Sequence, residues 1–361
     1  MPNKIQRSFA GGEVAPELQA RTDLSRFAIG LRTLRNMFVL RAGGATKRTG
    51  TQFVDITGST DQWVIHTFGP GTPWVFSDAF NVTTLGTGKI RVLVVGGGGS
   101  GGSVDGTGVA GGGAGGGGVI DTNLTLLATG SYVIGIGQGG IRNHADHTIG
   151  VGSASGNRGQ DSTAFGLTAL GGGKGDSNDG SAGGPSSNGG SGGGGVSTQQ
   201  DFGVPPVGTT ITSRGHGTGT VGQGNDGGTG WADPSPTGGT NFGGGGGGAG
   251  GAGEDGRLAG ANKGKGGPGV ASDISGTPTY YGGGGGGGAM SGGGGAAGGL
   301  GGGGQGGPQH DGTDGQGGGG GGGSATTFND AGRGGHGVVI VRYLASSGLV
   351  ATGGTITTIP A

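Results

Sequence analysis

The chain contains no cysteine and few large side chains: 11 Phe, 4 Tyr and 3 Trp in 361 residues. The missing cysteine excludes disulfides, cysteine-ligated zinc and a thiol nucleophile. The net charge of −1 gives no electrostatic attraction to nucleic acid or to an anionic membrane. No apolar run approaches the ~20 residues that cross a bilayer, and residues 1–30 lack the apolar core of a secretory signal. We therefore expect neither nucleic-acid binding nor membrane insertion, and synthesis in a cytoplasm.

Glycine, in contrast, occupies 112 of the 361 positions. Collagen is excluded because the Gly-X-Y period is absent and proline is scarce. Poly-glycine can instead form polyproline-II-like strands with ~3 residues per turn, and without Cβ atoms such strands approach closely enough to hydrogen-bond. Ordering each residue costs roughly 1–2 kcal/mol, whereas a hydrogen bond returns only about 0.5–1.5 kcal/mol. A glycine lattice therefore needs a frame of larger residues, and we expect a homo-oligomer to help it.

Apolar strand candidates flank the glycine block and could form that frame. The predicted fold is mostly β and irregular, with a short β-strand frame enclosing a layered, polyglycine-II-like body. The predicted strands are Gln62–Phe68, Pro73–Phe76, Lys89–Val95 and a closing strand within 337–344, with a short strand at Thr355–Ile359. The predicted divisions are residues 1–55, the frame 56–95, the glycine body 96–336, the closing strand 337–344 and a polar tail 345–361.

Residues 1–55 have an ordinary composition and contain one helical pattern. Leu24, Phe27, Leu31 and Leu34 recur at helical spacing, so we expect a small helix-containing segment. Its apolar side chains exceed what 55 residues can bury alone, which favours docking against another protein; packing on the chain's own β frame is the alternative. The candidate docking residues are Phe9, Leu24, Phe27, Leu31, Leu34, Arg35, Met37, Phe38 and Arg48.

Several motifs suggest a catalytic or cofactor site, but the residues around them do not fit such a site. Strand Lys89–Val95 followed by Gly96, Gly98 and Gly101 matches the dinucleotide pattern G-x-G-x-x-G, but more glycines follow where that site needs a helix. The pair His144 and His147 with Asp146 could bind a metal, although such side chains at a turn more often face water. No nucleophile elbow or spaced acid pair is present. We expect no enzyme activity, no cofactor and no metal.

Short islands of larger polar and aromatic residues interrupt the glycine block. Aromatic side chains beside polar ones are typical of contact surfaces, although Phe202, Tyr280 and Tyr281 are better explained as structural plugs. The candidate receptor-binding residues are Asn143, His144, Asp146, His147, Gln200, Trp231, Asp233, His310 and Asp311.

Two stretches resemble phage protein families. Ser8-Phe-Ala-Gly-Gly-Glu-Val-Ala-Pro-Glu17, with Gly30-Leu-Arg-Thr-Leu-Arg-Asn36 and Gly43-Gly-Ala-Thr-Lys-Arg-Thr-Gly-Thr-Gln-Phe53, resembles the start of phage tail nozzle and stabilisation-type proteins. At Lys47 and Thr49 those proteins usually have Arg and Pro. This resemblance covers about 50 residues and implies attachment to other tail proteins, whether nozzle, adaptor or fibre.

The remainder is similar to the glycine-rich domain of phage tail-fibre and tail-tip proteins. The similarity is carried by Val92-Leu-Val-Val-Gly-Gly-Gly-Gly99, Ser131-Tyr-Val-Ile-Gly-Ile-Gly137, Thr279-Tyr-Tyr-Gly-Gly283 and Gly337-Val-Val-Ile-Val-Arg-Tyr343. It implies a virion protein that docks to the tail through its N-terminus and displays receptor-binding loops for adsorption to a host surface. A purely architectural nozzle or connector component, without receptor contact, is the alternative.

Overall fold

The computed structural model describes residues 61–69, 76–104, 109–142, 156–177, 187–197, 215–231, 241–256, 264–290, 294–324 and 331–361. The chain divides into two compact units, one of Met1–Trp63 with Ile359–Ala361 and one of Val64–Thr358. Only the ends of the first unit are described. The predicted N-terminal helix and all nine candidate docking residues therefore lie outside the described residues.

Twelve strands and one 3-10 helix make up the described secondary structure. Every pairing with an established register is antiparallel. The strands are β1 Gln62–Phe68, β2 Ser77–Thr84, β3 Lys89–Val95, β4 Val119–Thr125, β5 Gly130–Gly135, β6 Ser162–Ala164, β7 Leu167–Ala169, β8 Val270–Ser272, β9 Thr279–Tyr281, β10 Val338–Leu344, β11 Val350–Thr352 and β12 Thr355–Pro360, with the 3-10 helix at Ala345–Ser347.

Two five-stranded sheets pack around the apolar core, in the orders β12-β1-β10-β3-β4 and β11-β2-β5-β6-β7. Alternate residues of β3 and β10 point between the sheets and meet side chains of β2 and β5, as expected for a sheet with one face on the core. Phe80 and Ile134 from the second sheet are fully buried there. The core from the first sheet includes Phe68, Ile90, Val92, Val94, Val339, Val341 and Tyr343.

The prediction of a mostly β and irregular fold is confirmed, and several of its strands are found with their bounds. Strands β1 and β3 match Gln62–Phe68 and Lys89–Val95, and β10 provides the closing strand. Most of the candidate Pro73–Phe76 lies outside the described residues, which resume at Phe76, and β2 begins at Ser77, where its pairing with β5 begins. The segment 345–361 holds β11 and β12, which join the two sheets beside β2 and β1.

A buried histidine, His66 on β1, completes the core at the edge where the two sheets meet. Its Nδ1 lies 2.8 Å from the Gly353 carbonyl oxygen and its Nε2 lies 3.1 Å from the Tyr343 hydroxyl. A carbonyl can only accept, so Nδ1 carries the proton. The ring packs edge-on against Phe80 at 5.0 Å. Burial lowers the pKa of His66, although its bond to Gly353 opposes the shift.

The glycine segments form a lattice of extended strands that are bonded through their backbones in a three-residue cycle. Along 96–102, the N–H groups of Gly96, Gly99 and Gly102 donate to carbonyls of 112–118. Those of Gly97 and Ser100 donate to a second strand, and those of Gly98 and Gly101 to a third. A strand with three residues per turn points successive N–H groups in three directions, as polyglycine II requires.

Carbonyl groups of the same strand bond in three further directions, so a central strand is surrounded. Among the described residues, strand 96–102 bonds to 112–118, 157–160, 172–175, 320–323, 332–335 and Gly140, and strand 111–118 bonds to 96–102, 170–176, 191–194, 244–247, 285–288 and 317–323.

At the glycine positions the spacing between these strands leaves no room for a side chain, and the two strands carry only the small side chains of Ser100 and Ala114. A Cβ added at Gly98 would lie 2.1 Å from the Gly318 carbonyl oxygen, and one at Gly113 would lie 2.1 Å from that of Gly285. Peripheral strands have one open direction, and there larger residues return every third position. On 294–300 the exposed residues are Gly294, Ala297 and Leu300.

Replacing Gly98 by alanine tests the lattice spacing. The added methyl group would meet backbone atoms that cannot rotate away, so Gly98→Ala should lower the free energy of unfolding by at least about 2 kcal/mol. Gly294→Ala is the matched control, because its Cβ would meet only the Gln305 side chain at 3.5 Å. That control should be neutral or stabilising by up to ~1 kcal/mol. Equal effects of the two substitutions in denaturant titrations would contradict the close packing.

Candidate binding surface

The far end of the lattice from the β-sandwich is closed by one bonded row of residues. Strand 111–118 runs from Ala110 to β4, so Ala110 marks that end. Ala110 pairs with Ser197 and with Ser324, the Ser324 hydroxyl accepts from the Ala289 N–H at 3.1 Å, and Phe242 bridges Ala289 to Trp231. We call Ser197, Ala110, Ser324, Ala289, Phe242 and Trp231 the terminal row.

The terminal row lies where the glycine strands give way to the segments that connect them. Ser197 precedes 198–214, Trp231 precedes 232–240 and Ser324 precedes 325–330, all of which lie outside the described residues. Val104, Val109 and Val196 form a small buried cluster beside this row. Connecting segments of different sequence therefore start from one end of a rigid support.

Trp231 is the one predicted binding residue on the terminal row. Its backbone exchanges hydrogen bonds with Phe242 at 2.9 and 3.0 Å, and its side chain is half-buried, whereas Phe242 is buried. Gln200 and Asp233 lie outside the described residues, in the segments after Ser197 and after Trp231. The segments that contain Gln200 and Asp233 therefore both begin at residues of the terminal row.

A cluster of charged residues lies on a side of the lattice. Both guanidinium –NH₂ groups of Arg333 donate to Asp314, at 2.8 and 2.7 Å, and its Nε lies 3.2 Å from Asp311. Arg142 lies 3.7 Å from the same Asp311 carboxylate. Asp311, a predicted binding residue, is thus close to Arg142. Arg142 directly precedes the other predicted binding residues Asn143, His144, Asp146 and His147, which lie outside the described residues.

Three groups of this cluster, on Asp314, Arg333 and His336, have shifted pKa values. Burial would raise the pKa of Asp314, but hydrogen bonds from Arg333 and from the His336 N–H outweigh it and lower that pKa. The hydrogen bond to Asp314 raises the pKa of Arg333. Burial lowers the pKa of His336. At neutral pH the cluster is therefore a fixed set of ion pairs beside an uncharged imidazole.

His310, the other predicted residue in this region, is exposed, and its carbonyl accepts from the lattice residue Gly321 at 3.0 Å. His310 and Asp311 were predicted from the sequence, whereas Arg142, Asp314, Arg333 and His336 were not. Their only signal was that charged residues are rare within the glycine block. Nothing in the sequence placed positions 142, 311 and 333 on neighbouring strands.

A second charged network holds the β8–β9 hairpin against the outer face of the first sheet. Arg91 donates to both carboxylate oxygens of Asp121 at 2.8 Å and to Asp273 at 2.6 Å, and the Ser272 hydroxyl donates to Asp121 at 2.6 Å. The bond to Asp121 raises the pKa of Arg91, and the bond from Arg91 lowers that of Asp273. Because the charged groups of this network are paired with one another, its role is to hold the hairpin in place.

Within the described ranges, no three His, Asp or Glu side chains are grouped so that they could hold a metal ion. The same part of the chain contains no helix that is long and apolar enough to span a bilayer.

The fold and this surface define a class of protein: a β-sandwich that carries a backbone-bonded glycine lattice, with connecting segments that leave from its far end. The family model described as a glycine-rich domain matches residues 76–344, and the chain belongs to that family. The match runs from just before β2 to the end of β10, so it includes both the frame and the lattice. No curated protein matches the chain.

Replacing Arg333 by lysine tests whether the side cluster is held by paired hydrogen bonds. Lysine keeps the charge but loses the planar fork that bonds both oxygens of Asp314, so Arg333→Lys should lower the unfolding free energy by about 1 kcal/mol. Arg158→Lys, at an exposed arginine, should change it by less than ~0.5 kcal/mol. A neutral result for Arg333→Lys in denaturant titrations would show that the fork contributes nothing.

Proposed function

We propose that this protein is a non-enzymatic tail-fibre or tail-tip component of a bacteriophage, made in the host cytoplasm and carried in the virion. In this proposal residues 1–55 dock to other tail proteins, and the lattice displays receptor-binding segments for host adsorption. The N-terminal resemblance to tail nozzle proteins supports docking. The observation that carries the display role is the terminal row, where several connecting segments leave one end of a rigid support.

The lattice is suited to display because its shape does not depend on the connecting segments. Strands 96–102 and 111–118 are held on all sides by other glycine strands through backbone bonds. Substitutions in the segments beyond the terminal row leave these bonds in place. Binding residues can therefore change while the support stays the same, as for loops on other rigid scaffolds.

Adhesion is tested with the purified full chain, fluorescently labelled, on the bacterial cells that the phage carrying it infects. Trp231→Ala and the triple change Asn143→Ala, His144→Ala, His147→Ala should each weaken cell binding while the unfolding midpoint stays unchanged. Leu127→Ala is the matched control, because Leu127 is 88% exposed on the β4–β5 connection of the sandwich, and it should bind as the parent does. A parent chain that binds no cells yet is required for assembly would favour the architectural alternative.

Docking is tested in virions rather than on cells. The change Leu31→Asp places a charge in the apolar pattern of residues 24–34 and should abolish incorporation of the full chain into particles, measured by mass spectrometry of purified virions. Thr33→Asp, between the apolar positions of the same pattern, should leave incorporation intact. Equal incorporation of both variants would contradict docking through this face.

A further inference from the structure

His336 connects three parts of the lattice at the start of β10. Its Nδ1 accepts a hydrogen bond from the Gly139 N–H at 2.9 Å. Its own N–H donates to Asp314 at 2.9 Å, and its carbonyl accepts from the N–H groups of Gly315 and Gly317. The Phe76 ring packs edge-on against the imidazole at 5.0 Å.

The bond to Gly139 sets the protonation state of the imidazole. A backbone N–H can only donate, so Nδ1 must present its lone pair and the proton sits on Nε2. If Nδ1 gained a proton, two N–H groups would face each other and the bond would be lost. This is the opposite tautomer to that of His66, whose Nδ1 faces a carbonyl.

Among the described residues, the charged groups near His336 are those of the side cluster. Asp314 is the nearest carboxylate, 4.0 Å from Nε2, and it already accepts two hydrogen bonds from Arg333. Beyond Arg333 lie Asp311 and Arg142, which pair with each other at 3.7 Å. A protonated ring therefore forms an ion pair with Asp314 beside the Arg333 guanidinium, but this pair does not restore the bond to the Gly139 N–H.

We infer that His336 is an acid-sensitive clasp: at neutral pH its Nδ1 holds the Gly139 amide, and it releases that amide when the ring is protonated. The other bonds of strand 137–142, made by Gly137, Gln138 and Gly140, do not involve the imidazole. That strand runs directly into residues 143–147. Because the clasp depends only on described backbone and side-chain contacts, it goes beyond the proposed function and does not require that those residues bind a receptor.

The direction of the pH effect follows from burial. Burial lowers the pKa of His336 below its usual value, so the clasp is intact above the ordinary histidine pKa of ~6.5 and is lost as the pH falls through the lowered value. The bond is therefore closed at pH 7.5 and weakened at about pH 5.

Hydrogen exchange of the full chain, corrected for the intrinsic rate at each pH, tests the clasp. The peptide that covers 137–142 should lose protection severalfold between pH 7.5 and pH 5, while the peptide that covers β3 keeps its protection. His336→Asn places an amide oxygen near the position of Nδ1 and cannot titrate, so its 137–142 protection should not depend on pH. His310→Asn, at an exposed histidine, should behave as the parent.

Two results would overturn the clasp: equal protection of 137–142 at both pH values in the parent, or an unchanged pH dependence in His336→Asn. If His336→Asn fails to fold, ¹⁵N NMR of the parent decides. The imidazole should carry its proton on Nε2 at pH 7.5, and the Gly139 amide shift should follow the His336 titration. A proton on Nδ1, or a Gly139 shift that does not move, would refute the clasp.

Discussion

Backbone hydrogen bonds between strands that lack Cβ atoms are the interaction on which the rest of the structure depends. Each central strand turns its N–H groups toward three neighbours and its carbonyl groups toward three others, at 2.8–3.2 Å for strands 96–102 and 111–118. At most positions of these strands the arrangement excludes a side chain, since a Cβ at positions such as Gly98 would lie 2.1 Å from a carbonyl oxygen. Glycine is therefore required by distance and not by turn geometry.

Such a lattice is closed at its two ends in different ways. At one end β3 passes directly into Gly96, Gly118 passes into β4, and Gly337 passes into β10, so the strands of the sandwich anchor the glycine strands. The ordering cost of glycine is large, and the sandwich core offsets part of it by burying Phe80, Ile134 and Val92. At the other end the terminal row and the cluster of Val104, Val109 and Val196 close the lattice with small and apolar side chains.

Exposed larger residues lie on the peripheral strands, whereas a few polar ones, such as Lys174 and Asp176, are buried. The exposed positions Gly294, Ala297 and Leu300 follow the three-residue cycle of a peripheral strand. Arg142, Asp311, Asp314 and Arg333 are on neighbouring peripheral strands and pair across them. Charged residues that are distant in the sequence therefore meet on one side of the lattice.

Sequence reasoning predicted the frame better than the lattice. The runs at β1, β3 and β10 are recognisable because buried strands require β-branched residues. The glycine strands carry no such signal, since an interior strand has glycine at nearly every position, with only Ser100 and Ala114 as exceptions on the two central strands, and shows no period. The pairing of Arg142 with Asp311 depends on which glycine strands are neighbours, so it could not be predicted. Trp231 was predicted as a binding residue because an aromatic side chain beside polar ones is typical of contact surfaces, and its place on the terminal row could not be read from the sequence.

The central claim is that the glycine amides are hydrogen-bonded as firmly as those of the sandwich. Amide hydrogen exchange of the full chain measures this directly, by comparing the peptides that cover 96–102 and 111–118 with the peptide that covers β3. Lattice bonding predicts that all three are protected to a similar degree and lose protection together as denaturant is raised. Exchange of the two glycine peptides at the rate of an unstructured chain, while β3 stays protected, would contradict the account.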